Sequence, residues 1–132
     1  MADCEGVDVP NRTARQPAAA DRGDPPDIPT MRSTADRILA LDAKPISPED
    51  LETLRINMHG QLELLIHAVQ GLAAGFPKGD IPRECALAGV REAGMRLRLG
   101  VGGSGPVRMS VSMKLARSVV ALCDHYEDLG GR

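Results

Sequence analysis

The chain has 132 residues, 42% of them hydrophobic, with one Phe, one Tyr and no Trp. That length allows one domain at most, with a core built from aliphatic side chains, which suits helix-on-helix packing better than a sandwich or barrel. The formal net charge of -2 implies no particular partner, and the scarcity of aromatics argues against a stacking platform for single-stranded nucleic acid.

Charge and cysteines say more by their placement. Residues 83–117 carry six Arg and one Lys against two Glu, whereas residues 1–30 carry three Arg against six acids. Cys4, Cys85 and Cys123 are odd in number and widely spaced, with no CxxC pair and so no disulfide framework. The beginning of the chain has no apolar core of a secretory signal, and no apolar run reaches membrane-spanning length. A reduced, cytoplasmic protein without a membrane partner is therefore expected.

Residues 1–29, rich in Ala, Pro, Asp, Gly and Arg, are too poor in apolar residues to offset their ordering entropy and are expected to form a disordered tail. The bundle domain then covers residues 30–132. Residues 30–43 read as a short helix, with Ser33 and Asp36 as a cap-like start and Ala35, Ile38, Leu39 and Leu41 as its sticky side. Lys44-Pro45-Ile46 breaks it.

Ser47 to Phe76 is the longest helical pattern. Ser47 caps it, Pro48 suits its first turn, and Glu49 and Asp50 complement the dipole. Leu51, Leu54, Met58, Leu62, Leu65, Val69 and Leu72 make one apolar stripe. Ile56, Leu64 and Ala68 lie off it, which predicts burial on a second side, as in a central helix of the bundle or a dimer contact. Gly60 and Gly71 are expected at close helix crossings.

Asp80 caps a third helix over residues 81–99, with Ile81, Cys85, Leu87, Ala88, Val90, Met95, Leu97 and Leu99 as its apolar set. The alternation in MRLRL and VRMSVSM also fits a hairpin, but the apolar pattern continues on both sides at helical spacing, so helix is preferred. Ser104 and Pro106 start the last helix. Val107, Val111, Leu115, Val119, Leu122, Tyr126 and Leu129 form its stripe, and Gly130-Gly131 ends it. The predicted fold class is all-α, an antiparallel three-to-four-helix bundle.

Pro82 to Leu99, Val107 to Leu129 and the preceding LELLIHAVQGLA resemble a family of small actinobacterial proteins of unknown function that is labelled natural product biosynthesis protein. The resemblance spans roughly residues 47–130, is most specific in KLARSVVALCDHYEDL, and carries no catalytic or binding residues with it. It implies a setting in specialised metabolism and no reaction.

Four constellations could carry chemistry. Gly100 to Gly105 matches GxGxxG, but the dinucleotide fingerprint needs a strand before it and a βαβ unit around it. His59, Glu63 and His67 are spaced i, i+4, i+8, and the outer pair is too far apart to chelate one ion easily. Cys123 and His125 are two apart on a helix and point to nearly opposite sides, so they make no thiolate–imidazole pair; Cys85 and Cys123 instead read as small core residues. Arg91, Arg96, Arg98, Arg108, Lys114 and Arg117 make a candidate basic face for a partner. No catalytic, metal or cofactor-binding residue is predicted, and no cofactor is implied. The expected function is a non-enzymatic accessory or protein-interaction module, self-association included. A nucleic-acid-binding regulator using the Arg-rich face and a ligand-binding or catalytic bundle are the alternatives.

Overall fold

A computed structural model describes residues 25–40, 45–100 and 104–131. Most of the expected tail, residues 1–24, lies outside them. The described residues form four helices and no strand: α1 Ile28–Leu39, α2 Pro48–Ala73, α3 Ile81–Leu97 and α4 Gly105–Asp128. The hairpin alternative is thereby excluded, and the fold is all-α.

All four helices start by one device. A side-chain oxygen of Asp27, Ser47, Asp80 or Ser104 accepts the backbone N–H of Thr30, Asp50, Arg83 or Val107, at 3.1–3.3 Å. A proline stands in each first turn, where its missing N–H costs nothing. Asp27 corrects the expected start of α1. Asp27 also accepts the Thr30 hydroxyl at 2.8 Å, and Ile28 and Met31 are buried, while Ser33 is exposed inside the helix. The short apolar pattern hid this start because Pro29 resembles a helix breaker when it is in fact the first-turn residue. α4 ends in a Schellman motif: Gly131 N–H donates to Tyr126 C=O at 2.9 Å and Gly130 N–H to Glu127 C=O at 3.0 Å. Gly130 takes the left-handed conformation this requires, at φ 93°.

Met58, Leu62, Leu65 and Val69 of α2 meet Leu115, Val119 and Leu122 of α4 in the core, all at most 1% exposed. α1 adds Met31, Ala35 and Ile38 on one flank, and α3 adds Ala86, Val90 and Ala93 on the other. Each fully buried Leu contributes roughly 1.5–3 kcal/mol, so the α2–α4 seam dominates the packing energy.

α2 and α4 each touch all three other helices, and α4 is buried over the wider arc. α4 buries Ser112, Leu115, Ala116, Ser118, Val119, Leu122, Cys123 and Tyr126, a wide arc that faces all three neighbours. On α2 the off-stripe Ile56 and Leu64 are exposed, and only Ala68 is half-buried. Gly60 and Gly71 also depart from expectation, since a Cβ at either would meet nothing within 4 Å. The close approach is at Gly89 on α3, whose Cβ would stand 3.0 Å from the His125 ring on α4.

Candidate functional site

α3 has two apolar faces. Ala86, Val90 and Ala93 are buried, with Leu87 and Leu97 packed beside them. At about 100° per residue, Ile81, Cys85, Ala88 and Met95 fall on the opposite side. All four are exposed, Ile81 at 72% and Met95 at 56%. The single apolar set read for this helix is therefore two sets, and Cys85 is an exposed seam residue rather than a core one. The outward residues follow one another at steps of four, three, four and three if Glu92 is included. That is the spacing of a coiled-coil seam with one charged position.

Both ends of this face are structured. At its start, Arg83 Nε donates to the Ala73 carbonyl at 3.2 Å, tying α3 to the open end of α2. Glu84 accepts the Gly79 N–H at 3.1 Å and pairs with Arg83. The Gly79 hydrogen bond holds the Glu84 carboxyl below its ordinary range, and Arg83 and the charge of Arg91 add to that. At its end, exposed Leu99 meets Val107, Val111 and Lys114 of α4 around a shallow depression of about 390 Å³. Leu99 and Val107 are 45% and 46% exposed, which prolongs the apolar surface across the α3–α4 junction.

The six candidate cations divide among different surroundings. Arg96 is used inside the fold: Nη1 donates to Lys114 C=O and Ser118 Oγ, both at 3.0 Å, and Nη2 to Glu92 at 2.8 Å. Arg108 lines a cleft against α2. Arg91 and Arg98 stand seven residues apart along α3, and Lys114 and Arg117 lie on α4, all four exposed. Ser118, the hydroxyl that helps hold Arg96, carried no sequence signal beyond its place one turn from Lys114.

The other constellations separate. His59 approaches Glu63 at 3.9 Å and His67 is exposed, and among the described residues no group of three His, Cys, Asp or Glu side chains could hold a metal. Cys123 is fully buried, and burial pushes its thiol up to about 11, so it stays protonated and inert at neutral pH. Asp124 pairs instead with Arg32 of α1 at 2.9 Å, alongside Glu127 at 2.7 Å. Burial works against the Arg32 charge, but the hydrogen bonds it donates to these two carboxylates, with their charges, outweigh it and raise its pKa. His125 turns to Gly89 on α3. Three consecutive residues thus serve the core, α1 and α3 respectively. Residues 101–103 of the glycine run lie outside the described residues, and the segment before it is α3, not a strand. No helix among the described residues is long and apolar enough to cross a membrane.

No curated protein and no solved structure matches this chain. Residues 29–131, which take in all four helices from Pro29 onward, match the family of unknown function DUF6415, and the chain belongs to that family.

Proposed function

We propose that this protein is a non-enzymatic interaction module that pairs with a second copy of itself through the outer face of α3. One observation carries the reading: the exposed seam of Ile81, Cys85, Ala88 and Met95, interrupted only by Glu92 and continued by Leu99 and Val107. Single exposed apolar residues are ordinary, as Ile56 and Leu64 are on α2, but a row along a whole helix marks an interface.

The charges beside the seam favour an antiparallel pair. Glu84, Arg91 and Arg98 flank it on one side. In an antiparallel arrangement centred near Val90, Glu84 meets Arg98 of the second copy, and the two-fold axis repeats that pair. Arg91 then stands near its own symmetry mate, while each Glu92 stays paired with Arg96 of its own chain. A parallel pair would instead set Arg91 against Arg96 of the second copy. The same antiparallel register brings Ile81, the most exposed of these apolar residues, to the Leu99–Val107 depression of the second copy, so the protruding side chain and the hollow that receives it are both present on each chain. The resemblance to actinobacterial natural product biosynthesis proteins supports an accessory role in specialised metabolism as the setting.

The register is open to a direct test. In a Cys4→Ser background, Met95→Cys brings its new thiol opposite Cys85 of the second copy. Mild oxidation is expected to give a covalent dimer in this variant and not in the parent. Efficient Cys85–Cys85 crosslinking in the parent would instead indicate a parallel pair, and monomer in both would remove the α3 interface.

A further inference from the structure

The starts of α2 and α4 leave a cleft of about 680 Å³ between them, in the size range of small-molecule sites. Its walls are apolar, with Leu51 of α2 facing Met109 of α4 and Ile46 and Pro106 at the rim. Three polar features converge on it.

The first is Ser112. It lines the cleft, it is 0% exposed, and its Oγ has no hydrogen-bond partner among the described residues. A buried serine inside a helix ordinarily returns its hydroxyl to the carbonyl one turn back. An unpartnered buried hydroxyl is a donor held ready for something.

The second is the charge balance. Arg55 gives Nε and Nη2 to Glu52 at 3.0 and 2.7 Å, so that the pair is neutral. The Arg55 hydrogen bonds hold the Glu52 carboxyl below its ordinary range, with the nearby charge of Arg108 helping. Arg108 also lines the cleft, and it donates no hydrogen bond to any described residue. Among the described residues the cleft therefore carries one uncompensated positive charge. The third is its location at two helix N-termini, whose dipoles favour an anion.

We infer that the cleft binds a small amphipathic monocarboxylate, with the carboxylate between Arg108 and the Ser112 hydroxyl and the hydrocarbon part against Leu51 and Met109. Arg108, the one free cation among the described residues of the cleft, matches a single negative charge, and a second carboxylate would meet Glu52. The cleft has Pro106 in common with the Leu99–Val107 depression used in the pairing, but Leu51, Arg108, Met109 and Ser112 line only the cleft, so octanoate binding is read separately from pairing.

The test compares octanoate with octan-1-ol, which share a hydrocarbon body, by calorimetry and by amide chemical shifts of the full chain. Octanoate is expected to saturate one site about tenfold more tightly than the alcohol. Its shifts should centre on Leu51 and Met109. Arg108→Gln, a change at an exposed position, should abolish the preference and leave the alcohol unaffected. Ser112→Ala should weaken octanoate severalfold and spare the alcohol. Equal binding of acid and alcohol, octanoate affinity unchanged in Arg108→Gln, shifts centred on the outer face of α3, or no saturation by either ligand would overturn the proposal.

Discussion

Gly60 and Gly89 both lie in helix interiors, yet their surroundings give them opposite roles. Around Gly60 a Cβ would meet nothing within 4 Å, so glycine there only adds backbone freedom to the unfolded chain. Gly60→Ala is expected to raise stability by about 0.5–1 kcal/mol in urea denaturation. Around Gly89 a Cβ would stand 3.0 Å from His125 Cδ2, 3.2 Å from its Nε2 and 3.4 Å from Leu122. The imidazole must give way before α3 can keep its distance from α4. Gly89→Ala is therefore expected to lose about 1 kcal/mol despite the better helix propensity. Both glycines look alike in the sequence, because what separates them is the side chain of another helix. Ser112 and Ser118 are similar cases. Both are polar residues within an apolar stripe, and only packing shows that Ser118 holds Arg96 while Ser112 has no partner among the described residues.

At the scale of the element, α1 shows how little of its hold is electrostatic. Arg32 joins it to Asp124 and Glu127, but all three side chains are substantially solvated. Arg32→Ala is expected to cost no more than about 1 kcal/mol. Ile38, fully buried against the core, should cost about 2–5 kcal/mol as Ile38→Ala. Chemical denaturation of the two variants would order them, and a larger loss for Arg32→Ala would mean that α1 is held by its charges. α2, α3 and α4 were legible in the sequence because each carries its own start, a capping Ser or Asp followed by a first-turn proline, whereas the same device at Asp27 and Pro29 went unread and α1 was started too late. The α2 stripe was legible as well, since Leu54, Met58, Leu62, Leu65 and Val69 are all buried. α3 was read less well. Apolar spacing shows that a helix has a sticky side and does not say which of two sides meets the core. Ala86 and Ala93 carry little apolar weight in a pattern, yet they are the buried ones, because only small side chains let α3 approach α4 closely.

At the scale of the molecule, these choices leave an asymmetric bundle. α2 and α4 form its centre, α1 covers one flank with a salt-bridged edge, and α3 covers the other while keeping a second apolar face outward. An exposed seam of this kind carries a solubility cost for a lone chain, which the proposed pairing would remove. The Arg-rich composition of residues 83–117 finds part of its use in this arrangement: Arg83 ties α3 to α2, Arg96 ties α3 to α4, and Arg91 and Arg98 flank the seam. Met95 is the residue that tests the proposed pairing, because it is exposed on the outer face and can be changed without disturbing the core. Light scattering coupled to size exclusion, run over a range of concentrations on the parent and on Met95→Glu, tests the pairing most directly. The parent is expected to approach twice the 14.0 kDa chain mass as concentration rises, and Met95→Glu to remain at the single-chain mass with unchanged helicity. A parent that stays at 14.0 kDa throughout, or a Met95→Glu variant that pairs as well as the parent, would contradict the account.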